Sequence, residues 1–191
     1  GHLFREIGPM GKTAEELGLP AAFASRMETL LGEEYPAFLE SMGKERVQGL
    51  RLNTLKAEQP VLETVCGRQF TLTPVPWCRE GYYYLSGERP GRHPYHEAGL
   101  YYIQEPSAMS VVELLDPAPG ERVLDLCAAP GGKTSHAAQR LAGAGLLVSN
   151  EIHPARARIL SQNVERMGVV RGVVTSEDPG RLAGYFPEFF H

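Results

Sequence analysis

The stretch Val123-Leu-Asp-Leu-Cys-Ala-Ala-Pro-Gly-Gly-Lys-Thr134 constrains the fold of this chain more than any other. An apolar run ends in a loop of small residues, and a helix pattern begins directly behind it. The alternation continues downstream. Arg122–Cys127 reads as a buried strand, Lys133–Leu141 as a helix, Leu146–Asn150 as a strand, Pro154–Met167 as a helix and Gly172–Thr175 as a strand. Proline opens the helix at 154 and Gly168 follows its end, the usual asymmetry of helix termini. Strand–helix–strand units at this spacing form right-handed crossovers around a parallel sheet. The expected fold class is α/β: a Rossmann-like core holding its first three strands, preceded by a helix at Pro106–Leu115 and a small α+β domain.

In such sheets ligands bind at the carboxyl ends of the strands. Ala128, Ala129, Gly131 and Gly132 allow a ligand close to the backbone, and the free N–H groups of the following helix attract an anion. Asp125, at the strand end, is placed to meet a cation or to orient the loop. Three ligands compete for this site. Gly132-Lys133-Thr134 matches the tail of a nucleotide phosphate loop, but the glycine that motif requires is replaced by Cys127. A dinucleotide calls for Gly-x-Gly-x-x-Gly, which the loop lacks. S-adenosylmethionine has a carboxylate for the helix terminus, a ribose diol and a sulfonium cation, and fits best. Its ribose calls for an acid about 20 residues downstream, where Glu151 ends the second strand. Glu177 or Asp178, after the third strand, is placed to receive the adenine amino group. The core thus reads as an S-adenosylmethionine-binding domain.

The N-terminal part has a different texture. Residues 1–9 read as a non-native scar, with the native start at Met10. Residues 10–97 form the expected α+β domain, and residues 98–191 the first half of the methyltransferase domain. Apolar residues at helical spacing mark one or two short helices within 19–42, while Gly49–Thr54, Thr71–Val75 and Tyr82–Leu85 read as strands separated by Gly and Pro. Net charge is −4 overall, which argues against indiscriminate nucleic-acid binding. Residues 44–92 nevertheless carry eight basic against five acidic side chains. There Arg51, Lys56, Arg68, Arg79, Arg89 and Arg92 interleave with Trp77, Tyr82, Tyr83 and Tyr84, a mixture suited to phosphate contacts beside base stacking. The same pattern also describes a solvated face over an aromatic core.

Cys66, Cys78 and Cys127 are too few and too scattered for a disulfide scaffold. Cys78, His93 and His96 lack the short spacing of a zinc site, and no metal is expected. No apolar run reaches the roughly 20 residues of a membrane helix. No signal-peptide pattern opens the chain, so a cytoplasmic protein without membrane contact is expected.

Leu126-Cys-Ala-Ala-Pro-Gly-Gly-Lys-Thr134 closely resembles the cofactor loop of the Sun (Fmu) family of RNA cytosine-5 methyltransferases. Tyr102-Ile-Gln-Glu-Pro-Ser-Ala-Met109, Asn150-Glu-Ile-His-Pro-Ala-Arg156 and Asn163-Val-Glu-Arg-Met-Gly168 resemble its RsmF-type bacterial branch, as does Arg51-Leu-Asn-Thr54. The resemblance implies methylation of cytosine in small-subunit ribosomal RNA by a class I S-adenosylmethionine-dependent methyltransferase core behind a small RNA-binding domain. It implies cofactor contacts from Cys127, Ala128, Ala129, Pro130, Gly131, Gly132 and Lys133, from Glu151, and from Asp178 or Glu177, with Arg156 orienting the cofactor's carboxylate. RNA contacts are expected at Arg51, Asn53, Lys56, Arg89 and Arg92.

Cytosine carbon 5 becomes nucleophilic only after a thiolate adds at carbon 6. The family places that cysteine after a fourth strand, which here would lie beyond His191. No catalytic residue is therefore nominated. The chain alone is expected to bind cofactor weakly at best and to transfer no methyl group. The alternative is a non-catalytic RNA- or protein-binding module with a vestigial loop. Without a fourth strand, the exposed sheet edge is expected to drive self-association.

Overall fold

The computed structural model describes residues 11–191; the scar expected at 1–9 and the start at Met10 lie outside the described residues. The described residues divide into two compact units, 11–46 and 47–191. In the first, α1 (Ala21–Leu31) and α2 (Tyr35–Met42) are joined by a single 3₁₀ turn. Phe38 joins the two helices, its ring 6.3 Å from Phe23 and stacked 6.1 Å from Tyr35.

The second unit opens with a small antiparallel sheet. Its strands are β1 (Gly49–Leu52), β2 (Thr73–Pro74), β3 (Gly81–Tyr83) and β4 (Tyr101–Ile103), in the order β2-β3-β1-β4. Leu50 stands opposite both Tyr82 and Ile103. Leu50 and Leu52 share one face and form a core with Leu62, Cys66, Phe70 and Tyr101. Arg51, between them, points the other way, as the two-residue period of a strand requires.

Three parallel strands follow, β5 (Arg122–Asp125), β6 (Leu146–Asn150) and β7 (Gly172–Thr175), paired in that order. Leu124 stands opposite Val148, which stands opposite Val173. Helices α3 (Gln59–Gly67) and α4 (Pro94–Glu97) lie between strands of the antiparallel sheet, α5 (Pro106–Leu115) precedes the parallel one, and α6 (Gly132–Leu141) and α7 (Pro154–Arg166) are its crossovers. Seven of the ten residues of α6 are buried. Ala137, Ala138 and Leu141 pack with Val112, Val123 and Leu147. On another side of the helix, Gln139 Nε2 donates to the Leu52 carbonyl at 2.9 Å and lies 3.0 Å from Thr54 Oγ1. Helix α6 thus lies between the two sheets, and its small residues let both approach.

Among the elements with no counterpart in the sequence reading, three show why they were missed. The helix at Gln59–Gly67 carries Val61, Thr64 and Val65, poor helix formers, and is held by burial of Leu62 and Cys66. Strand β4 has three residues, too few for a periodic signal. A last helix, Pro179–Tyr185, contains two glycines, and the Asp178 side chain caps it through the amides of Gly180 and Arg181. Because β4 completes the first sheet, that sheet extends past residue 98, where the second domain is expected to begin.

Candidate cofactor site

The loop between β5 and α6 is anchored from several sides. Ala128 N–H donates to the Asn150 carbonyl at 2.8 Å, and Asn163 Nδ2 donates to the Pro130 carbonyl at 2.7 Å. Thr134 donates its hydroxyl to Asp125 Oδ2 at 2.7 Å and lies 3.0 Å from Ser149 Oγ. Asp125 therefore orients the loop, as one of its two expected roles required. Gly131 sits at φ +117°, in the region that favours glycine, and a Cβ there would press on Leu160 Cδ1 at 3.3 Å. The amides of Gly132, Lys133 and Thr134, in the first turn of α6, have no acceptor among the described residues.

The ends of β6 and β7 converge on the same place. Asn150 is fully buried; its carboxamide accepts from Glu177 N–H at 3.1 Å and Thr175 Oγ1 at 2.8 Å, and donates to the Glu177 carbonyl at 2.9 Å. This holds the β7 loop, with Glu177 and Asp178, beside the β6 end. Glu151 is 3 % exposed; Oε1 accepts from His153 N–H at 3.1 Å and Oε2 lies 3.3 Å from Arg156 Nη1. Arg156 Nη2 donates to the Ala129 carbonyl at 2.9 Å. Its guanidinium therefore bridges Glu151 to the loop. Asp178 Oδ1 caps the last helix, leaving Oδ2 without a partner among the described residues. Glu177 Oε1 accepts from Asp178 N–H at 2.9 Å.

A cleft of about 230 Å³ opens on the loop, lined by Tyr102, Gln104, Glu105, Cys127, Pro130 and Lys133 among others. The cleft offers free amides at a helix N-terminus and a lysine, which suit an amino-acid tail; Glu151 and the acids of the β7 loop stand at the neighbouring strand ends, outside its lining. A Cβ on Gly132 would stand 3.2 Å from Tyr102 Cε1, so the narrow approach is built with glycine. These residues fit S-adenosylmethionine. The structure brings together Cys127–Lys133, Glu151, Arg156, Glu177 and Asp178. Sequence reasoning missed Asn150, Asn163 and Gln104. Asn150, a polar residue closing an apolar strand, was the detectable one.

Two of the expected RNA contacts are corrected. Arg51 and Asn53 are both fully buried and cannot meet RNA. Asn53 Nδ2 donates to the carbonyls of Gly99 and Met167, each at 2.8 Å, tying β1 to the end of α7. Arg51 reaches α6 instead. Lys56, Arg89 and Arg92 are exposed. Of the aromatics beside them, Tyr82 is buried, Tyr83 and Tyr84 pack against the core clusters, and Trp77 remains 45 % exposed.

Cys78 does not meet His93 or His96; its sulfur lies 3.9 Å from His136 Nε2. Among the described residues, Cys78, Glu80, Glu113 and His136 are the one group of potential metal ligands close together. Arg140 already donates to both of those carboxylates. This Cys–His pair is no nucleophile and base. Burial and the nearby Glu113 push the Cys78 thiol up to about 12, and burial with Arg51 and Arg140 pushes His136 down to about 2. Burial also raises the Cys66 thiol to about 11. Cys127 is the exposed cysteine.

Two family models match the chain: the N-terminal domain of 16S rRNA methyltransferase RsmF over residues 19–106, and 16S rRNA methyltransferase RsmB/F over residues 112–190. Ribosomal RNA small subunit methyltransferase F of Erwinia tasmaniensis is 36% identical over 181 residues, covering 90% of this chain and 38% of that protein. The Vibrio campbellii protein of the same name is 34% identical over 180 residues, with the same coverage. The chain spans about 38% of the length of these curated relatives. Among solved structures, a methyltransferase homolog protein from Pyrococcus horikoshii superposes with TM-score 0.77 at 33% identity, covering 90% of this chain and 57% of that one. NSun6 from Pyrococcus horikoshii shares the fold at TM-score 0.75 and 18% identity, covering 86% of this chain and 67% of its own. No described helix is long and apolar enough to cross a membrane.

Proposed function

On the premise that the chain belongs to the RsmB/F family of 16S rRNA methyltransferases, we propose that it is the cofactor-binding part of an enzyme that methylates carbon 5 of cytosine in small-subunit ribosomal RNA. One observation carries the reading: Arg156 ties the Glu151 carboxylate to Ala129 of the loop that runs into the unpaired first-turn amides of α6. The amides and Lys133 hold the amino-acid tail of S-adenosylmethionine, Glu151 accepts from the ribose hydroxyls, and Asp178 or Glu177 takes the adenine amino group. Bound there, the cofactor supplies an electrophilic methyl group.

The chain's own contribution is binding and orientation. Attack by cytosine carbon 5 needs a thiolate at carbon 6. Cys66 and Cys78 are buried with raised thiols, and Cys127 belongs to the cofactor loop. None is assigned as nucleophile, and the chain by itself transfers no methyl group to RNA. Lys56, Arg89 and Arg92, with Trp77 half-exposed, form the RNA-facing surface.

Photo-crosslinking of labelled S-adenosylmethionine, followed by peptide mapping, tests the reading. Label on the peptide containing Cys127–Lys133 supports it. Label spread over the surface, or methyl incorporation into RNA by this chain alone, contradicts it.

A further inference from the structure

We infer that Arg51, on the antiparallel sheet, is a positioning residue of the cofactor loop. The inference rests on the cofactor reading above. Its guanidinium is completely buried. Nη2 donates to the Gly132 carbonyl at 3.0 Å and to Ser135 Oγ at 2.7 Å, while Nε donates to Gln104 Oε1 at 3.0 Å. Gly132 and Gln104 both line the cleft. Its carbon Cζ lies 5.9 Å from the ring centre of Tyr102, another lining residue. Arg51 therefore touches three walls of the cleft from behind without entering it.

A structural explanation alone does not account for this choice of residue. A buried guanidinium is costly, and an apolar side chain of similar volume in such a place is often neutral or stabilising. Burial pulls the pKa of Arg51 down to about 10, so it is still charged at neutral pH. One nitrogen, Nη1, has no hydrogen-bond partner. What the arginine provides is rigid, forked donation that fixes the Gly132 carbonyl and hence the orientation of the first-turn amides of α6. Its charge adds to the positive end of that helix, where the carboxylate of the amino-acid tail is held.

Calorimetry with two ligands tests this. S-adenosylhomocysteine carries the amino-acid tail, and 5′-methylthioadenosine lacks it. In Arg51→Met the first weakens by about tenfold or more, as expected for loss of a charge-assisted hydrogen bond. Binding of the second changes by less than about twofold, since its contacts lie at Glu151 and the β7 loop. Arg51→Lys, which keeps the charge and loses the fork, lies between. If Arg51→Met does not fold, Ser135→Ala decides, because it removes one clamp acceptor and predicts a smaller loss with the same selectivity. Equal weakening of both ligands, or of neither, overturns the inference. A wild-type chain that binds neither ligand overturns the cofactor reading itself, and this inference with it.

Discussion

The Glu151 carboxylate and the Arg156 guanidinium lie 3.3 Å apart, the acid nearly buried and the arginine 54 % exposed. The other terminal nitrogen of Arg156 holds the Ala129 carbonyl at 2.9 Å. The pair links the end of β6 to the loop behind β5. Arg156 was expected to orient the cofactor's carboxylate; the contacts instead support a role in orienting the loop and the acid. Removing Arg156 leaves the nearly buried Glu151 carboxylate with one partner fewer, at a cost of about 1–3 kcal/mol. Arg156→Ala is therefore expected to lower the melting temperature by roughly 2–12 °C and to weaken S-adenosylhomocysteine several-fold in calorimetry. A large loss of stability with unchanged affinity would refute that role.

Thr134 joins Asp125 to Ser149 beneath the loop. Thr134→Val keeps the shape and leaves two polar groups without their partner. The expected cost is about 1–3 kcal/mol, read as a lower denaturant midpoint with an unchanged slope. Thr134→Ser should retain most of the stability.

His136 makes stability depend on pH. Its folded pKa, about 2, lies below the ordinary 6.5, because burial and the cations Arg51 and Arg140 oppose its charging. The unfolded chain therefore binds the extra proton first. The contribution is fully present above pH 6.5 and falls as pH drops from there toward 2, by at most about 1.4 kcal/mol per unit from this group. Unfolding midpoints at pH 7 and pH 5 should differ more in wild type than in His136→Gln. Equal differences would mean the residue does not control the acid limb.

Strand β5 pairs with β6 on one side, and on the other His191 N–H donates to the Arg122 carbonyl at 3.0 Å. Beside it an apolar hollow of about 290 Å³ is lined by Leu124, Leu126, Leu182 and Phe186. An edge of this kind recruits another strand. Sedimentation should show association that grows with concentration and weakens in Leu126→Lys. A monomer at every concentration argues against this.

The parallel half was legible because its signals are local: apolar strands, helices opened by proline, and a loop of small residues. The site residues in that loop and Glu151 follow from the same pattern. The N-terminal half was less so. Arg51 and Asn53 read as RNA contacts because a basic residue among aromatics looks alike on a surface or inside. Only the pairing of β1 with β3 and β4 turns Arg51 inward against α6. Tyr82 was misleading for the same reason, since its hydroxyl meets Glu63 rather than solvent.

The proposed function requires Glu151 and the α6 amides to form one ligand site. The direct measurement is calorimetry of S-adenosylhomocysteine with wild type and Glu151→Ala, alongside their melting temperatures. Weak but measurable binding by wild type, reduced at least about tenfold in a variant that melts normally, is the predicted result; loss of paired hydrogen bonds to a carboxylate is of that size. A folded Glu151→Ala that binds as wild type does would contradict it.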